Sequence, residues 1–127
     1  MHVRDAMSTD VLTIGPDHTL REAAARMSSR KVGAAVVMDP EHDQPGILTE
    51  RDILDAVGAG QDVDTERVHA HLTSDIVVAA PDWPVDKAAT TMVHGGFRHL
   101  VVCQGSEVVG MLSVRDIVRV STSETVS

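Results

Sequence analysis

Aromatic side chains are almost missing from this sequence: one Phe, one Trp and no Tyr among 127 residues. A bound base or ring would therefore rest mainly between aliphatic side chains, without the stacking platforms common in single-strand nucleic-acid binders. Cations are also scarce, with 11 Lys and Arg against 19 Asp and Glu for a formal net charge of −8. Nucleic-acid binding depends on clustered Lys and Arg that neutralise phosphates, so a polyanionic partner is excluded. A small phosphorylated ligand stays compatible, because a few local cations and a helix N-terminus suffice to hold one. No apolar run approaches the roughly 20 residues of a membrane span. The opening Met1-His2-Val3-Arg4-Asp5 lacks the apolar stretch of a signal peptide, which predicts a cytoplasmic protein. One cysteine, Cys103, rules out an intramolecular disulfide. Neither Gly-x-Ser-x-Gly, His-Glu-x-x-His nor a Walker loop occurs, so nothing points to an enzyme.

What the chain does have is a duplication. Gly46-Ile47-Leu48-Thr49-Glu50-Arg51-Asp52-Ile53 returns as Gly110-Met111-Leu112-Ser113-Val114-Arg115-Asp116-Ile117. Residues 6–38 align without a gap on 71–103, and 46–54 on 110–118 after one deletion. Thirteen of these 42 paired positions are identical, from Asp10/Asp75 through Met27/Met92 to Ile53/Ile117. Chance at ordinary residue usage would give about three. A unit of about 50 residues buries too little surface to fold alone, so the two copies are expected to pack together, sheet to sheet and pseudo-symmetrically.

Each copy predicts the order β-α-β-β-α, an α+β fold. The β-branched runs Asp10–Ile14 and Asp75–Ala79 read as strands, ended by Pro16-Asp17 and Pro81-Asp82. Thr19 with Glu22 forms a capping box ahead of the helical stripe Leu20, Ala23, Ala24 and Met27, repeated as Val85, Ala88, Ala89 and Met92. The apolar runs Ala34–Met38 and His99–Cys103 have the length of central strands. Further strands follow through Gly46–Leu48 and Val108–Leu112, and helices over Asp52–Val57 and Asp116–Val120. Alignment of Cys103 with Met38 predicts a buried core thiol. The repeats are drawn at 3–58 and 66–121, with a linker at 59–65, short lead-in helices over Val3–Met7 and Glu66–Leu72, and a frayed tail at 122–127.

The repeated Gly, two apolar residues and Thr/Ser-x-x-Asp describe a strand running into a helix N-terminus. As a capping box, Thr49 and Asp52 would only satisfy the helix's own N–H groups. As a site, exposed N–H groups and the helix dipole favour phosphate, and a carboxylate accepts from both hydroxyls of a ribose. Recurrence with both glycines and both Arg-Asp pairs kept, while Glu50 and Val114 diverge, favours the site.

This double pattern, with Phe97-Arg98-His99-Leu100-Val101-Val102 in the second copy, resembles a pair of CBS domains, together called a Bateman module, over Val3 to Val120. The resemblance implies a regulatory, energy-sensing module for an adenosine derivative, commonly AMP, ADP, ATP or S-adenosylmethionine, with no obligatory cofactor. It also implies a homodimer and an unknown regulated protein reached in trans. Thr49 and Asp52 would hold one ribose, and Ser113 and Asp116 the other. In similar modules the sites are crossed, which would group Asp116 with Leu12, Val32, Gly33 and Ala34, and Asp52 with Val77, Phe97 and Arg98. Phosphate would meet Arg98 and His99, whose counterparts Gly33 and Ala34 carry no charge, so unequal sites are expected. Arg98 as a solvated surface charge remains open, and Arg51 and Arg115 either reach phosphate or pair with nearby acids. The other reading is a structural or interaction dimer with vacant ligand sites. His69-x-His71 lacks the surroundings of a zinc site and reads as exposed linker histidines.

Overall fold

In the computed structural model the backbone is described for residues 1–126 and side chains for residues 1–122. The chain folds as α+β, with two three-stranded sheets, and divides into two compact units. One unit is Leu12–Ile76; the other joins Met1–Val11 to the chain from Val77 onward.

In the first of these, β1 (Thr13–Ile14) leads through α2 (Leu20–Arg30) to β2 (Ala34–Val37), then β3 (Gly46–Thr49) and α3 (Glu50–Gly58). β1 pairs parallel with β2, and β2 antiparallel with β3, in the order β1-β2-β3. The predicted capping box forms: Glu22 N donates to Thr19 Oγ1 at 3.1 Å and Thr19 N to Glu22 Oε1 at 3.2 Å. Leu20, Ala23 and Met27 are buried and Ala24 half-buried, so the predicted stripe faces the core.

The other unit repeats the plan with β4 (Val78–Ala79), α4 (Val85–Gly95), β5 (His99–Gln104), β6 (Glu107–Ser113) and α5 (Val114–Val126). Its sheet runs β4-β5-β6 with the same parallel and antiparallel senses. Cys103 lies at an irregularity in the β5–β6 pairing and is buried, as expected. Burial pushes its thiol pKa up, because the apolar surroundings disfavour the thiolate. Helix α5 is longer than predicted: its backbone covers 122–126 of the segment expected to fray, and Ser127 lies outside the described residues.

β1 and β4 are shorter than predicted for a visible reason. The chain passes from one unit to the other at Val11/Leu12 and at Ile76/Val77, inside both predicted strands. The lead-in segments are therefore exchanged. Helix α1 (Val3–Ala6) docks on the unit that holds the second repeat: Val3 N donates to Trp83 O at 2.8 Å, and Val3 is buried beside Ala88, Leu100 and Leu112. The segment around a 3-10 turn at Val68–Ala70 docks on the unit holding the first repeat, with Val68 N donating to His18 O at 2.8 Å and Val68 buried beside Leu20 and Leu48. Full burial of one such valine is worth about 1.5–3 kcal/mol. Each docked segment also forms a two-bond bridge to the last strand. Ser8 and Met111 exchange both backbone bonds at 2.9 Å, and Ile47 and Thr73 do so at 3.0 and 2.9 Å.

Candidate functional site

Both copies of the motif build the same corner. In the first repeat, Ala34 of β2 pairs with Thr49 at the end of β3, and Glu50 N donates to Gly33 O at 2.9 Å. In the second, His99 of β5 pairs with Ser113 at the end of β6, and Val114 N donates to Arg98 O at 3.0 Å. Residues 33–34 and 98–99 thus adjoin the start of the motif helix of their own repeat.

At each corner the aspartate turns back to cap its helix. Asp52 Oδ2 accepts from Thr49 N at 2.8 Å and Thr49 Oγ1 at 3.2 Å. Asp116 Oδ2 accepts from Ser113 N at 2.8 Å and Ser113 Oγ at 3.0 Å, while Asp116 N donates to Ser113 Oγ at 3.1 Å. The capping reading is therefore correct locally, but it occupies one oxygen of each carboxylate. Asp52 Oδ1 has no hydrogen-bond partner among the described residues. Asp116 Oδ1 lies 3.4 Å from Arg119 Nη2, which also donates to Ala6 O at 3.0 Å. An ionised carboxylate offers about four acceptor positions, so both retain capacity for an outside donor.

The two corners differ in charge. The first turns of α3 bring Glu50, Asp52 and Asp55 with one arginine, Arg51, whose Nη1 lies 3.9 Å from Asp55 Oδ1. The matching stretch of α5 carries Arg115 and Arg119 with one carboxylate, Asp116. Arg98 is exposed and His99 half-buried, whereas Gly33 is half-buried and Ala34 buried. Of the remaining apolar candidates, Leu12 is buried, Val32 and Phe97 half-buried, and Val77 is 50% exposed. Gly95 allows the Phe97 ring to fold back over the end of α4, since a Cβ there would overlap the ring.

Sequence reasoning noted Glu50 only as a position that diverges between the copies. Its exposed carboxylate lies over Gly33, with oxygens 3.1 and 3.2 Å from where a Cβ on that glycine would stand. The divergence between Glu50 and Val114 was the available signal. The motif glycines serve packing, because a Cβ on Gly46 would stand 2.9 Å from Leu72 Cδ1 and 3.1 Å from Thr73 O, and one on Gly110 would meet Met7 and Ser8. They let the exchanged lead-in segment approach the strand. His71 departs from expectation, being only 13% exposed at its side chain, with Nε2 2.8 Å from Glu66 Oε1. No group of three or more His, Cys, Asp or Glu able to hold a metal occurs among the described residues.

Comparison with known proteins agrees with the duplication of the chain. Residues 3–59 and 68–123 each match the CBS domain family. An uncharacterised 17.7 kDa protein of Acidianus ambivalens is 34% identical over 118 residues, covering 92% of this chain and 71% of that protein. A hexameric CBS-CP12 protein from bloom-forming cyanobacteria is 31% identical with a TM-score of 0.87, over 93% of this chain and 66% of that one. A CBS domain protein of Pyrobaculum aerophilum, solved in complex with AMP, is 27% identical with a TM-score of 0.83, over 96% of this chain and 99% of that one. The chain belongs to the CBS-domain family and carries the domain twice.

Proposed function

We propose that this chain is a regulatory adenosine-nucleotide-binding module that acts on a partner protein and self-associates as a homodimer. The observation that carries the reading is the twice-built corner, where a helix-opening carboxylate commits one oxygen to its own cap and keeps acceptor capacity on the other. A ribose presents two neighbouring hydroxyl donors, and a carboxylate edge accepts both. Asp52 with Thr49 and Asp116 with Ser113 are the ribose-holding pairs. Adenine rests on aliphatic groups, for which Leu12, Val32, Ala34 and Val77 are suited, with Phe97 the one aromatic among them. Arg98 and His99 receive phosphate. The AMP complex of the Pyrobaculum relative supports the ligand class, and the hexameric relative supports self-association.

The test is a thermal-shift screen with AMP, ADP, ATP and S-adenosylmethionine, followed by titration of the ligand that responds. A ligand at 100 times its Kd stabilises the fold by about 2.7 kcal/mol. A flat response to all four at millimolar concentration overturns the sensor reading and leaves an interaction protein whose corner carboxylates serve only as helix caps. Sedimentation velocity checks the dimer.

A further inference from the structure

The two corners differ by more than their cations, because Glu50 gives them opposite character. At the second corner Arg98 stands beside Val114, an apolar residue. At the first, the position matching Arg98 is Gly33, and the space above it holds the Glu50 carboxylate, both of whose oxygens lie within 3.2 Å of the missing Cβ. That carboxylate has no hydrogen bond or ion pair among the described residues. Lys31, two residues before Gly33, is exposed and does not pair with it.

A phosphate brought to Gly33 and Ala34, as Arg98 and His99 would receive one, meets an unpaired carboxylate instead of a guanidinium. Like charges a few ångströms apart at a partly solvated surface repel strongly enough to change affinity by an order of magnitude or more. An uncharged sugar end meets no such penalty.

We infer that Glu50 is a specificity-determining residue that bars phosphate from the Gly33–Ala34 corner, so that this corner takes an adenosine derivative without phosphate while the Arg98–His99 corner takes a phosphorylated one. The inference rests on the nucleotide reading above. It makes the protein a two-ligand device, with each corner reading a different chemical form of the same nucleoside.

Calorimetric titration of the full chain with adenosine and with AMP tests it, using the wild type, Glu50→Gln and Arg98→Ala. The wild type is expected to take one equivalent of AMP tightly, and adenosine at two sites. Glu50→Gln, an exposed near-isosteric change, should tighten the second AMP equivalent by about tenfold while moving adenosine by less than about twofold. Arg98→Ala should weaken the first AMP equivalent and spare adenosine. If the wild type binds AMP but Glu50→Gln gives the same isotherm, or if the wild type already takes two equal AMP equivalents, Glu50 has no such role and the nucleotide reading stands. Absence of binding of both ligands to every variant overturns both.

Discussion

A Cβ placed on Gly110 would stand 2.5 Å from Met7 Sδ and 3.0 Å from Ser8 O. The most recognisable glycine of the second motif thus makes room for a segment about a hundred residues earlier in the chain. Met7 can swing aside, but the Ser8 carbonyl is held by the bridge to Met111.

Gly110→Ala and Gly46→Ala should each destabilise the protein by about 1–3 kcal/mol, the usual cost of overpacking a tight contact. Gly58→Ala, where nothing lies within 4 Å, serves as the control and should be neutral or slightly stabilising. Urea denaturation of the three variants decides it; equal midpoints would refute the close-contact account.

Lys31 ends α2 in the left-handed region at φ 56°, and its counterpart Gly96 ends α4 at φ 72°. A side chain is strained there and glycine is not. Lys31→Gly should therefore stabilise by up to about 1 kcal/mol, and Gly96→Ala should destabilise by a similar amount. Opposite shifts in Tm are the expected result.

The corner aspartates cap their helices, and the proposed function gives them a second role that substitution can separate. Asp52→Ala and Asp116→Ala remove both, so a cap loss of about 0.5–2 kcal/mol should accompany any loss of ligand. Asparagine keeps an acceptor for the Thr49 or Ser113 N–H but removes the charge. Asp52→Asn and Asp116→Asn should melt close to the wild type and still bind nucleotide at least about tenfold more weakly. Unchanged binding in both would mean that the carboxylates serve only their helices.

Cys103 should resist alkylation. It is 8% exposed and its thiol pKa is pushed up by burial, so little thiolate is present at neutral pH. Labelling by a maleimide should be slow in the native protein and rapid in urea. Rapid native labelling would show that the β5–β6 edge opens readily.

The duplicated pattern made the β-α-β-β-α order legible, because identity at positions such as Ala23/Ala88 and Met27/Met92 sits on helical spacing and is buried in both copies. The Thr19–Glu22 box was equally plain, since a capping box is a local contact between residues three apart. Less of the rest could be read. Val3 and Val68 sit in segments of three or four helical residues, too short to show a period, yet both are fully buried. The brevity of β1 and β4 reflects where the chain changes unit, a long-range matter on which Val11 and Val77 are silent. At the corners, sequence supplied Asp52, Asp116 and Arg98, but the place of the Glu50 carboxylate over Gly33 depends on β2 and β3 lying side by side.

The exchange of lead-in segments bears on how such a chain could be divided. A fragment stopping at Gly58 would keep the sheet of the first repeat but lose Val68, Leu72 and Thr73, the plug and latch that close it, while its own Val3 and Met7 would dangle with nothing to fill. Neither half is self-sufficient. A single repeat cut from this chain would have to fold its own leader back, or take one from a second molecule, to fill the place that the other repeat's leader fills here.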